Sequence, residues 1–131
     1  MTRHETPFVN DGDLIILEAL VTGPRRTSNG RFVLDTGAAR TTITPELAHL
    51  IGYSARDGIR RARVRTALGS EEGYILPVAV FDVLGFKMPS FQVNVFDLGY
   101  EDLDGLIGMN FLNDLNYEVR SAEKRIFAER I

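Results

Sequence analysis

The chain has 131 residues, of which 44% are hydrophobic and 25% charged, the balance of one globular domain with its own core and no material for a second. Fifteen Lys and Arg against eighteen Asp and Glu leave a formal net charge of -3, so a nucleic-acid partner would need a local basic patch rather than bulk attraction. With no cysteine, disulfides, thiolate nucleophiles, Cys-ligated zinc and iron-sulfur clusters are excluded, while the redox compartment stays open.

The start, Met-Thr-Arg-His-Glu-Thr-Pro, has no long apolar run behind a basic end and does not read as a secretory signal. No stretch approaches the roughly 18 apolar residues of a membrane span; the nearest, 14–21, is broken by Glu18. The default expectation is a cytoplasmic protein without a membrane segment, and a piece of a longer protein would read the same way. Residues 1–13 are expected to be a flexible or interfacial N-terminal segment and 14–131 the domain proper.

Short runs of β-branched and aromatic residues bounded by Gly, Pro, Asn and Asp predict a mainly β fold. Strands are expected at 14–22 and 31–34, joined through 23–30 with Asn29-Gly30 at the turn, where positive φ is tolerated. Thr44-Pro45-Glu46 reads as a helix start and Gly52 as its end. In 61–66, Arg61, Arg63 and Arg65 alternate with Ala62, Val64 and Thr66, giving a strand with one basic face. Its expected partner is 74–81, reached across 68–73, with Pro77 marking an edge or bulge. Further strands are expected at 83–88 and 91–96, a second short helix over 109–115 directly after Gly108, and a final hairpin of 117–119 and 125–127.

The segment richest in chemistry runs from Arg31 to Ile43, where the apolar Phe32-Val33-Leu34 leads into Asp35-Thr36-Gly37-Ala38. Standing alone, Asp35 could simply cap a turn through downstream amides. Other polar residues read as ordinary surface. His4 and His49 lack His-Glu-x-x-His spacing, so no metal site is expected. Asp97, Glu101, Asp102 and Asp104 do not fit a calcium loop, and no serine sits in a Gly-x-Ser-x-Gly elbow.

Phe32-Val33-Leu34-Asp35-Thr36-Gly37-Ala38 resembles the signature of the retroviral-type (retropepsin-like) aspartic proteases, bacterial members included. A second element, Gly105-Leu106-Ile107-Gly108-Met109-Asn110-Phe111-Leu112, looks like that family's apolar-apolar-Gly segment leading into a short helix. Between them, Ala67-Leu68-Gly69-Ser70-Glu71-Glu72-Gly73-Tyr74 stands where the family has a glycine-containing flap. The resemblance implies an all-β, single-domain acid-protease barrel with one or two short helices. It also implies catalysis by Asp35, with Thr36, Gly37 and Ala38 supporting the active loop, and Leu106, Ile107 and Gly108 as the second structural element. Arg40, Leu68, Gly69, Gly73, Ile75 and Ile107 are the candidates for cleft or flap. Where many viral members carry an acid after Gly-Ala, this chain has Ala39 and then Arg40.

Peptide hydrolysis by carboxylates needs two of them: one takes a proton from water while the other donates to the carbonyl oxygen. The chain contains one Asp-Thr-Gly and no Asp-Ser-Gly, so the second must come from another copy, which a two-fold axis through the loop would supply. The expectation is an aspartic endopeptidase active as a homodimer on polypeptide, with water as nucleophile and no cofactor. By the same resemblance, residues 125–131 are a candidate strand for an intersubunit sheet. The alternative is a catalytically weak protease-like domain that binds or dimerises partners. The arginines of 60–65 could instead contact phosphates of RNA, but acids precede the Gly105-Leu106-Ile107-Gly108 loop, and a nucleic-acid role is not expected.

Overall fold

The computed structural model describes residues 2–66 and 69–131, without the side chains of 64–66. Its strands are β1 (Arg3–Pro7), β2 (Val9–Asp11), β3 (Leu14–Thr22), β4 (Thr27–Leu34), β5 (Thr42–Ile43), β6 (Arg60–Thr66), β7 (Gly69–Val83), β8 (Phe86–Val95), β9 (Gly105–Ile107), β10 (Leu115–Arg120) and β11 (Arg125–Arg130). Two short helices, α1 (Pro45–Ile51) and α2 (Met109–Leu112), complete the expected mainly β architecture. Among the described residues no helix is long and apolar enough to cross a membrane.

The larger sheet runs β2-β3-β4-β9-β5-β8-β7-β6, and β3 also pairs with β7, so β3, β4, β9, β5, β8 and β7 close into a barrel. Closure gives each of these six strands a partner on both sides and leaves β2 and β6 as the outer strands of the sheet. The long strand β7 serves three neighbours. It pairs with β8 along most of its length, with β6 up to Ile75 and with β3 from Val80. Pro77 falls in the gap between the last two, where its missing N–H costs no ladder bond.

Alternation places Leu17, Ala19 and Val21 inside, along with Leu76, Val78, Val93 and Val95. Four phenylalanines form the centre of the core. Phe81 lies 5.4 Å from Phe32, 5.3 Å from Phe91 and 5.5 Å from Phe111, mostly in edge-to-face contacts. Such geometry suits the ring quadrupoles. It also ties β4 to α2, the two elements on either side of Asp35.

Several boundaries differ from the sequence expectation. Residues 27–30 belong to β4, with Asn29 opposite Leu20 and Gly30 opposite Ala19. The turn is made by Gly23–Arg26, closed by the Gly23 amide donating to the Arg26 carbonyl at 3.0 Å. Gly30 is needed for space, since a Cβ there would sit 2.7 Å from the Phe32 ring. The expected strand 83–88 is split by a hairpin turn at Leu84-Gly85, both with positive φ, as a type I′ turn requires. Hydrophobicity at Leu84 hid that turn, because this residue is buried in the core despite its backbone.

The second helix ends at Leu112, and Leu115 opens β10. The 60–66 strand meets its partner at once, Thr66 opposite Gly69, so 69–73 is strand rather than loop. Ahead of Leu14, Arg3–Pro7 pairs with β11 and Val9–Asp11 with β3. Strand β11 is therefore the centre of a three-stranded sheet, flanked by β1 and β10. Residues 125–130 have no free edge for an intersubunit sheet, which corrects that expectation; the open edges belong to β1 and β10.

Replacing Phe81 by Ala removes the hub of the aromatic cluster. It is expected to cost about 3–5 kcal/mol of unfolding free energy, read as a lower denaturant midpoint with an unchanged slope. A loss below about 1 kcal/mol would contradict the packing described.

Candidate active site

Strand β4 carries the chain from the buried Phe32 to Asp35, whose amide donates to the Ile107 carbonyl at 3.0 Å and so ends the parallel β4–β9 ladder. The chain then turns. The Asp35 carboxylate accepts the Gly37 amide through Oδ1 at 2.9 Å, and the Ala38 amide donates to the Asp35 carbonyl at 3.2 Å. Asp35 thus does cap its own loop, as a short acid readily does. That role occupies one carboxylate oxygen. Among the described residues, no hydrogen bond is made to the other. Thr36 and Gly37 are exposed at the tip and Ala38 is half-buried.

The loop is held by the segment that follows β9. Strand β9 lies between β4 and β5, parallel to the first and antiparallel to the second, so the two arms of the Asp35 loop straddle it. Beyond Ile107 the chain docks under the loop. The Met109 amide donates to the Ala38 carbonyl at 2.8 Å, and the Asn110 amide to the Ala39 carbonyl at 3.0 Å. The Gly108 amide reaches the buried Thr41 hydroxyl at 3.1 Å. Asn110 closes the clamp, its Oδ1 accepting the Thr41 amide at 2.7 Å and its Nδ2 donating to the Gln92 carbonyl at 2.8 Å. Gly108 permits the approach, because a Cβ there would stand 2.6 Å from the Arg40 carbonyl carbon.

Asp35 borders a cleft of about 940 Å³. One wall is the active loop, with Gly37, Ala38, Ala39 and Arg40. The facing wall is the β6–β7 hairpin, with Arg60, Ala62, Glu71 and Ile75, and the floor includes Asn94, Phe96 and Leu106. Of the sequence-derived cleft candidates, Arg40 and Ile75 line this space. Leu68 lies outside the described residues, and Gly69 opens β7. Gly73 does not line the cleft; a Cβ there would press on the Val95 carbonyl, so close strand packing accounts for it. Ile107 is fully buried, and Leu106 takes the cleft position, because neighbouring strand residues point to opposite faces.

Thr41 and Asn110 were not singled out from sequence, and Leu106 was expected as part of the second structural element rather than as a cleft residue. The signal available for Asn110 was a lone amide in the otherwise apolar 109–112. On the outer face of the hairpin, burial, with a smaller contribution from Asp57, raises the Tyr74 phenol above its ordinary pKa. His4 packs edge-on against Phe86 and His49 is exposed on α1. Among the described residues, no three His, Asp or Glu side chains come close enough to hold a metal ion.

Asn110→Ala leaves the Thr41 amide and the Gln92 carbonyl without these partners. It is expected to cost about 2–3 kcal/mol and to lower hydrogen-exchange protection of the Thr41 amide by at least about tenfold. Unchanged protection at Thr41 would show that the clamp does not hold the loop.

Comparison with known proteins agrees with this geometry. The structure is similar to a retropepsin-like aspartic protease from Rickettsia conorii, with a TM-score of 0.73 at 17% identity over 97% of this chain and 89% of that one. It is also similar to EIAV protease complexed with the inhibitor HBY-793, with a TM-score of 0.62 at 19% identity over 81% of this chain and 91% of the other. The retroviral protease-like domain of Ddi1 from Leishmania major gives 0.57 at 14% identity, over 86% and 85% of the two chains. No curated protein matches the sequence. These likenesses show a retropepsin-like fold. The family model described as aspartyl protease matches residues 18–111, from β3 through Asp35 and the hairpin to α2, and the chain belongs to that family.

Proposed function

We propose that this chain is an aspartic endopeptidase whose working unit is a homodimer, with Asp35 of each copy supplying half of the catalytic pair. The observation that carries the reading is Asp35 itself, held at a strand end on a hydrogen-bonded loop, with one oxygen engaged by Gly37 and the cleft in front of it. Thr36 and Gly37, exposed at the tip, are the surface through which two such loops would meet. The other acids that line the cleft, Glu71 and Asp97, stand on the hairpin and after β8 rather than on a second Asp-Thr-Gly loop. A partner copy is therefore the source of the second carboxylate. Because β11 has both edges filled, the partner would contact the active loop and the outer strands rather than 125–131.

In that assembly, repulsion between the two carboxylates raises one macroscopic pKa, so that the pair carries a single proton. The ionised member accepts a proton from water as it attacks the scissile carbonyl, and the protonated member donates to the carbonyl oxygen. The roles then reverse as the amine departs. Substrate would lie extended between the loop and the β6–β7 hairpin, held through backbone hydrogen bonds and alternate side-chain contacts. No cofactor takes part, since water is the nucleophile.

The test is digestion of a peptide library by the wild type and by Asp35→Asn. The wild type is expected to cleave within a bell-shaped pH range, losing activity as pH rises above the upper macroscopic pKa of the pair and again below the lower one. Asp35→Asn should lower kcat/KM by about a thousandfold or more. Persistent cleavage by the purified variant would overturn the assignment. Failure of the wild type to cleave any peptide, in a preparation shown to be dimeric, would leave a protein-binding domain.

A further inference from the structure

The sequence singled out a cluster of arginines, and in the structure Arg60, Arg61 and Arg63 all border the Asp35 cleft. In the β6–β7 ladder Arg60 stands opposite Ile75, and Arg61 opposite Tyr74. Ile75 borders the Asp35 cleft, so Arg60 shares the inner face. Arg63 is already engaged, its guanidinium 2.7 Å from Glu72. Across the cleft stands Arg40, whose backbone is pinned by the clamp: the preceding carbonyl of Ala39 accepts the Asn110 amide, and Gly108 packs against its own carbonyl. Its side chain therefore starts from a fixed root.

Arg40 Nη1 is buried and has no hydrogen-bond partner among the described residues. A charged donor in that state carries an unrelieved desolvation cost, which an incoming acceptor would remove. Neither Arg40 nor Arg60 makes an ion pair among the described residues. The acids that share the cleft form no ion pair with them: Asp35 caps its loop, Asp97 turns Oδ1 to the Gly99 amide at 2.9 Å, and Glu71 is exposed. Arg40 and Arg60 thus both line the space in front of Asp35 without an ion-pair partner among the described residues. A guanidinium fork suits a planar carboxylate, which can accept two of its donors at once.

We propose that the cleft selects polypeptides bearing an Asp or Glu side chain beside the scissile bond, with Arg40 and Arg60 as the residues that receive it. This rests on the protease reading and adds a substrate class to it. The experiment uses paired peptides around one cleaved sequence, differing only by Glu or Gln at the position next to the scissile bond. The readout is the Glu-to-Gln ratio of kcat/KM within each enzyme, which cancels differences in folded fraction. Wild type should prefer Glu by about tenfold or more. Arg60→Gln and Arg40→Met should each bring the ratio toward one, and Arg40→Glu should push it below one.

Cleavage by wild type with a ratio near one overturns the proposal and leaves the protease reading standing, as does a preference that survives in both Arg40→Met and Arg60→Gln. If wild type cleaves neither peptide, fluorescence anisotropy with the intact protein decides. Tighter binding of the Glu peptide, lost in Arg40→Met, supports the anionic cleft while the protease reading fails. Equal binding of both peptides, or binding of an RNA oligonucleotide in preference to the Glu peptide, overturns the proposal.

Discussion

The structure depends most on the lodging of β9 between β4 and β5. A three-residue strand could not persist alone; it is fixed because both of its edges are paired and Ile107 is fully buried. Everything near Asp35 is placed by it. The β4–β9 ladder ends on the Asp35 amide, and the chain leaving β9 docks under the active loop through Gly108, Met109 and Asn110. Backbone hydrogen bonds in a buried setting are costly to leave unmade. The loop therefore has one well-determined shape even though its tip is exposed. A catalytic group needs such a fixed position, since small displacements cost much of the advantage of proximity.

The phenylalanine cluster supports the same arrangement from behind. Phe32 precedes Asp35 by three residues and Phe111 follows Gly108 by three, and both pack on Phe81. The barrel core and the candidate site are thus one construction: the rings hold the ends of β4 and α2, and the clamp spans the ends so held. The face of the hairpin that carries Arg60 and Ile75 completes the cleft from the other side, which links the barrel wall to the space where substrate would lie.

Much of this was legible in the sequence because it depends on local chemistry. Thr44-Pro45-Glu46 and Gly52 marked α1 correctly, with the Thr44 hydroxyl accepting the Leu47 amide and Gly52 in the left-handed region. Leu14–Thr22 was readable from its apolar β-branched run. Misplaced features were those decided by tertiary packing. Asn29-Gly30 has turn chemistry, yet Gly30 serves in a strand because Phe32 needs its space. Leu84 has core chemistry, yet it makes a turn.

At the site, motif order located Asp35 and the segment after β9. The polar clamp of Thr41 and Asn110 joins residues 69 apart in sequence, and no local pattern announces such a pair. The alternation of Leu106 and Ile107 also had to be seen to know which of them faces the cleft.

One carboxylate on a well-held loop is half of what peptide hydrolysis requires, and the central claim is that two copies supply the whole. Subunit mixing tests it most directly. Wild type is equilibrated with about a ninefold excess of Asp35→Asn, and activity is read per wild-type subunit. If the active unit is a dimer with one Asp35 from each copy, random exchange places most wild-type subunits in mixed dimers and activity falls to about one tenth. Activity per wild-type subunit that stays unchanged, with exchange confirmed by mass, would show that a single chain carries its own complete site.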